Sequence, residues 1–245
     1  MRYPKKINLM LWHKIVVIGC IVLLNGCQHQ PSSSLTQENN DIRLTRLVQS
    51  DTDEVIAVHQ QAVLQQLQEM MLKLYRRNPS QRYDKDRRTI EESVTEVFLR
   101  PVEYGYSHWE GLSGVEMIQL AMDPNYEVND RILPFILGLR KMIMASYNHQ
   151  HEFHLFNKVD EQKLYNSARN IEVAAWLLAQ RKDNNNQALI LSDSVVGEQR
   201  NISYQRIIGK MIATQDNLAK VVSRQRGRVI KAVVLQVASM AFLPI

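Results

Sequence analysis
Apolar side chains recur at helical spacing from about residue 51 almost to the C-terminus. Ile56, Val63, Leu67, Met70, Met71 and Leu74 share one face. Asp51-Thr52-Asp53-Glu54 before them is a helix-start signal, and Arg76, Arg77 and Asn78-Pro79 suit the other end. A second helix is predicted from Asp86 to Leu99, ahead of Pro101, with Ile90, Val94, Val97 and Phe98 on a single face. Residues 101–126 hold Gly105, Gly111, Gly114 and Pro124, which predicts loops around one short helix, Val115 to Met122. From Asn129-Asp130 onward, Ile132, Leu133, Phe135, Ile136, Leu137, Leu139, Met142, Ile143 and Met144 cover most of a helix's circumference. That pattern predicts a central, buried helix, and Arg140 and Lys141 interrupt it too early for a membrane span.

Asp160 predicts the cap of a helix carrying Leu164, Ala168, Ile171, Ala175 and Leu178 and ending at Asp183. Ala188 to Leu191 reads as a strand fragment or an extended loop. Ser203 opens a long tract in which Tyr204, Ile208, Met211, Leu218, Val222, Val229, Val233, Val237 and Met240 keep helical spacing, with Gly227 a point of kink or division. The end, Ala241-Phe242-Leu243-Pro244-Ile245, is apolar enough to dock on the body. These elements predict an all-α fold, a single helical bundle of about six or seven helices over residues 41–245 with a long C-terminal helical tract.

The apolar fraction of 45% excludes disorder, and two cysteines in 245 residues exclude a disulfide scaffold. The N-terminus changes the picture further. Arg2, Lys5, Lys6 and Lys14 form a basic head, Ile15 to Leu24 is an apolar run of ten residues, and Leu24-Asn25-Gly26-Cys27 follows. A bilayer core needs about 20 apolar residues, so the run describes a secretory signal and not a span. Its ending resembles the lipobox of bacterial lipoprotein precursors, with Leu24 and Gly26 in the expected places and Asn25 less usual. The resemblance implies cleavage after residue 26, lipidation (palmitate and diacylglycerol) of Cys27, and a mature chain of 219 residues. Gln28 after the cysteine implies the outer membrane, with the body facing the periplasm, and residues 28–40 read as a flexible tether. Without the four basic residues of the signal, the net charge of +5 falls to +1, so nothing in the charge calls for nucleic acid.

Leu74-Tyr75-Arg76-Arg77-Asn78-Pro79, Gly138-Leu139-Arg140, Leu164-Tyr165-Asn166-Ser167-Ala168-Arg169-Asn170 and the Phe242-Leu243-Pro244-Ile245 end resemble a group of proteobacterial lipoproteins of unassigned function. None of these motifs is a catalytic signature, so the resemblance implies a lipoprotein and no activity.

Four groups of side chains carry candidate chemistry. His149, His151 and His154, with Glu152, lie within six residues, a density that suits a metal in an irregular turn or the polar end of the central helix. Glu92-Ser93 and the later Gly114-Val115-Glu116-Met117-Ile118-Gln119 resemble, faintly, motifs of lytic transglycosylases. These would use Glu92 as a general acid in a peptidoglycan lytic enzyme. Tyr165, Arg169 and Glu172, at i, i+4 and i+7, share a side of their helix with Asn166 and Asn170 near it. Arg140 in the central helix needs a partner, with Glu172 and Asp160 the expected ones, and the set predicts a polar network or a ligand-binding pocket. Tyr104, Tyr106, His108, Trp109 and Tyr126 form an aromatic region that suits either a partner surface or a plug closing the bundle.

Residues 195–245 carry a net charge of +6 and residues 27–194 one of −5. This asymmetry is explained by packing of a basic helix on an acidic remainder, or by a basic face for anionic lipid or cell-wall polymer. No phosphate-binding loop, dinucleotide fingerprint, nucleophile elbow or zinc-protease motif occurs, so no cofactor is expected. The sequence therefore predicts an outer-membrane lipoprotein that is more accessory or assembly factor than enzyme and binds another envelope protein. A small-ligand or metal-binding lipoprotein is the alternative.

Overall fold
A computed structural model describes residues 34–101, 106–152, 159–193, 201–232 and 241–245, with side chains placed from residue 52 onward. The chain divides into residues Met1–Leu47 and a body, Val48–Ile245. Six helices are formed among the described residues: α1 (Ser34–Arg77), α2 (Ile90–Leu99), α3 (Gly114–Ala121), α4 (Ile132–Ser146), α5 (Glu161–Gln180) and α6 (Ser203–Arg226). The all-α bundle is thus as predicted. Among the described residues the single β-type pairing is a bridge between Lys182 and Ala188, closing the turn after α5.

Helix α5 ends at Gln180, three residues before the expected Asp183, and α3 is shifted by one residue from Val115–Met122; three differences are larger. Helix α1 already exists at Ser34, within the segment read as tether, and runs straight through Asp51–Glu54. No Gly or Pro occurs between residues 34 and 77, so nothing in the backbone stops a helix at the acidic run. Helix α2 starts at Ile90, because Thr89 and Glu92 form a capping box. The residues before it are engaged otherwise: Asp84 is buried, accepts from Ser93 Oγ at 2.7 Å and pairs with Arg82 and Arg88. Third, the C-terminal tract is cut at Gly227. That residue takes φ 61°, and the Arg228 amide donates back to the Ser223 carbonyl at 3.1 Å. Glycine adopts this left-handed turn without a Cβ penalty, and the chain leaves the helix. Residues 228–232 are non-helical, and 233–240 lie outside the described residues.

The core sits around α4, whose residues are all buried except Lys141 and Ala145. Asp130 supplies its N-terminal cap by accepting from the Leu133 amide at 2.9 Å. Helix α3 crosses α4 at glycine-limited distance, Gly114 against Gly138 and Met142. Helix α1 lays Ile56, Val63, Leu67, Met70, Met71 and Leu74 into the core, the face predicted from spacing. Helix α6 runs antiparallel to α1: Tyr204 Oη donates to the Lys73 carbonyl at 3.0 Å, and Gln225 Nε2 to Thr52 Oγ1 at 2.8 Å.

Polar side chains pin the irregular segments. Asn78, before Pro79, donates to the Leu74 and Leu191 carbonyls and accepts from the Leu191 amide, so it closes α1 and anchors residues 189–191 together. Asn170 does the same for the C-terminus, accepting from the Leu243 amide at 2.7 Å and donating to the Leu243 carbonyl at 2.9 Å. Asn166 donates to the Pro244 carbonyl at 2.8 Å, while Phe242 and Ile245 pack against the core. The tail docks as its composition predicted, and two separate sequence motifs prove to be each other's partners. Asn170→Ala is expected to cost about 2 kcal/mol through two lost hydrogen bonds. The check is amide exchange at Leu243, which should approach the unprotected rate while α4 amides stay protected.

Candidate functional site
Most of the predicted site residues lie among the described residues. Glu92 is fully exposed at the start of α2, where its Oε2 accepts from the Thr89 amide at 2.8 Å. That backbone hydrogen bond, with the Thr89 side chain, holds its carboxyl below the usual range. A general acid for glycoside cleavage needs the reverse, a carboxyl raised by an apolar pocket. Glu116, within the second motif, is likewise the capping carboxylate of α3, accepting from the Ser113 amide at 2.6 Å. The spacing Thr-x-x-Glu and Ser-x-x-Glu was the signal for both caps.

Arg140 reaches the C-terminal end of α2. Its Nη1 donates to the Val97 carbonyl at 2.7 Å and its Nη2 to the Phe98 carbonyl at 3.2 Å, with the guanidinium 5.3 Å from the Phe98 ring centroid. The last carbonyls of a helix carry its negative dipole end, which suits a guanidinium. The two expected acids are used elsewhere: Asp160 accepts from the Gln162 and Lys163 amides as the cap of α5, and Glu172 pairs with Arg169 at 3.1 Å.

Arg169 lies between α5 and α6. Its Nη2 meets Asp216 Oδ2 at 2.6 Å, and its guanidinium stands 5.1 Å from the Tyr165 ring centroid. Burial raises the carboxyls of Glu172 and Asp216 above their ordinary range even though Arg169 opposes the shift. The four residues read as one ligand set are thus divided, Arg140 with α2 and Tyr165, Arg169 and Glu172 with α6. What the spacing predicted as a shared side on α5 becomes a helix-to-helix clasp.

A second, deeper network joins α4, α5 and α6, and sequence reasoning missed it. Gln215 is fully buried; it accepts from Tyr147 Oη at 2.6 Å and donates to Ser146 Oγ and Ser167 Oγ. Its members come from three separate segments, Ser146 and Tyr147 at the end of α4, Ser167 on α5 and Gln215 on α6, and no local pattern marks a glutamine as buried.

His149 and His151 are exposed at the end of α4. Asn148 and His149 both take positive φ, 55° and 59°, and the His149 amide donates to the Met144 carbonyl at 2.8 Å. This is a helix-ending turn. His154 lies outside the described residues, and among those described no group of three His, Cys, Asp or Glu side chains is placed to hold a metal ion.

In the aromatic region, Tyr106 and Trp109 pack against the core with ring centroids 5.6 Å apart. Trp109 Nε1 donates to Tyr126 Oη at 2.9 Å, and Arg131 gathers the carbonyls of Ala121, Asp123 and Tyr126. These contacts hold the segment against the core; Tyr104 lies outside the described residues. Beside it, a cleft of about 320 Å³ is lined by Gln119, Met122, Asp123, Leu177, Arg181 and Phe242.

The exposed charges of α6 are of one sign. Arg206, Lys210, Lys220 and Arg224 are exposed, whereas Asp216, the one acid of this helix, is turned to Arg169. Arg226 and Arg228 approach the buried Glu161 at 3.6 and 3.7 Å, a partial neutralisation at the helix end.

The body is thus a helical bundle in which the polar groups described above act as caps, clasps and tail anchors. No protein-family model, curated protein or solved structure matches the chain. Among the described residues no helix is long and apolar enough to cross a membrane.

Proposed function
We propose that the protein is a lipid-anchored component of the bacterial envelope, tethered to the outer membrane through Cys27, whose helical body serves in the periplasm as an accessory or assembly factor for another envelope protein. The observation that carries the reading is the order of the first 27 residues: basic head, short apolar run, then Leu24-Asn25-Gly26-Cys27. The body supports it from the other side. Glu92 serves a helix cap, Arg140 a helix end and Arg169 a clasp, so the conspicuous polar groups hold the fold together. Such a body offers surfaces to a partner.

Cys27→Ala is expected to abolish incorporation of labelled palmitate and to release the protein from the outer-membrane fraction or stall it as precursor. Unchanged labelling would sink the anchor. Affinity capture from detergent-solubilised envelopes, with the Cys27→Ala chain as control, then reads the accessory role. A stoichiometric envelope protein recovered only with the lipidated chain supports it. Repeated recovery of none turns attention to the cleft near Arg181.

A further inference from the structure
We infer that the exposed face of α6 is a docking surface for an anionic phospholipid bilayer, with Arg206, Lys210, Lys220 and Arg224 as its head-group contacts. The inference rests on the reading that the chain is tethered at a membrane, and it adds how the body meets that membrane.

The geometry is that of a basic stripe. At 100° per residue, positions 206, 210, 220 and 224 fall within about 80° of arc, and the stripe is about 27 Å long. All four side chains are exposed, and among the described residues none has a carboxylate within ion-pairing distance. Self-neutralisation was the ordinary explanation for so basic a segment. It holds for Arg226 and Arg228, which face Glu161, and in part for Lys220, whose charge acts on Asp216 one turn away, while Arg206, Lys210 and Arg224 pair with no carboxylate among the described residues.

The stripe also carries no acid within its arc. Between its charges stand Ala213 and Asn217, both small or uncharged, and nothing lies within 4 Å of where a side chain would begin at Gly209. The cleft of about 320 Å³ lies elsewhere, lined by residues of α3, α5 and the C-terminal tail and none of this stripe. A straight row of separated cations complements a plane of phosphates better than a single bound group. Ile202 lies in the same arc one turn before Arg206 and is 54% exposed, an apolar side chain placed to enter between head groups. Each basic side chain held near an anionic bilayer strengthens binding about fivefold, and the effect fades with salt.

The test uses the lipidated full chain reconstituted into vesicles of phosphatidylcholine alone, or of phosphatidylcholine mixed with phosphatidylglycerol. An amine-acylating reagent then reports on Lys210 and Lys220 by mass spectrometry, with exposed Lys85 as the reference. In the anionic vesicles both α6 lysines should react about fivefold more slowly than in neutral ones, with Lys85 unchanged and high salt removing the difference. Arg206→Glu with Arg224→Glu should restore the neutral-vesicle rate; both sites are exposed, and an unchanged thermal midpoint shows the variant is folded.

Equal rates in the two lipids overturn the proposal. So does protection that appears only when a soluble polyanion is added to neutral vesicles, which would assign the stripe to a cell-wall polymer. Protection that follows protein density in both lipids would assign it to a second copy of the chain. Flotation of the same samples tests the tether separately. A chain that fails to float with neutral vesicles loses the anchor, while its labelling in anionic vesicles still decides the stripe.

Discussion

Gly138→Ala is expected to destabilise the body by about 3 kcal/mol or more, at the upper end of what overpacking a core does. A Cβ at Gly138 would stand 2.6 Å from the Gly114 carbonyl oxygen and 2.9 Å from the Ile118 backbone nitrogen and side chain. The obstacle is backbone, which no rotamer change can clear. To admit the methyl, α3 would have to move off α4, and the buried Met117, Ile118 and Ala121 would lose their packing. Gly114→Ala should behave alike, since its Cβ would lie 2.5 Å from the Gly138 carbonyl oxygen. The two variants share one interface, so their combined effect should fall short of their sum. Gly209→Ala is the control. It is helical, exposed and has open space around it, so alanine should stabilise by about 0.5–1 kcal/mol. Urea unfolding of the three variants makes the comparison. If Gly138→Ala and Gly209→Ala shift the midpoint in the same direction, the close crossing of α3 and α4 is wrong.

The second large effect is a pH dependence centred on Asp130. This carboxylate is 7% exposed, accepts from Tyr75 Oη at 2.8 Å, from the Leu133 amide at 2.9 Å and from the Tyr83 amide at 3.1 Å. Burial dominates these bonds and pushes its carboxyl up to about 6. In the unfolded chain an Asp titrates near 3.9, so the folded state binds this proton more tightly. Stability contributed by the group is therefore fully present below about pH 4 and is lost as pH rises through about 6. The loss is of order 3 kcal/mol at most, two pH units at about 1.4 kcal/mol each. Asp130→Asn removes the titration. Its unfolding free energy should be lower at pH 4, because an amide nitrogen cannot accept from the Tyr83 or Tyr75 donors, and should not share the decline between pH 4 and 6. Denaturant unfolding across that range measures both. An equal decline in wild type and variant would falsify the assignment to Asp130.

The helices were legible wherever apolar spacing was unbroken. Ile132 to Met144 could be nothing but a buried helix, and the face of α1 from Ile56 to Leu74 is the one the structure buries. Boundaries were legible where a short-range signal was recognised, as at Asp160, and misplaced where it was not, as at Thr89 and its partner Glu92. The same oversight lent Glu92 a catalytic look, because a glutamate at the third helical position is as good a cap as it is a candidate acid. Gly227 was read as a kink or division, and a backbone turn of five residues there depends on φ, which composition does not specify.

The all-α class, the central place of α4 and the docking of the apolar tail follow from residue type and local spacing, and so were readable along the chain. The partners of the polar side chains were not readable in this way. Arg140 meets the carbonyls of Val97 and Phe98, Asn170 meets Leu243, Gln215 meets Tyr147, and Gly138 meets Gly114. Each of these contacts joins residues far apart in the chain. A polar side chain fits any complementary donor or acceptor equally well by chemistry, so its choice is made by which backbone the packing of the apolar faces brings within reach.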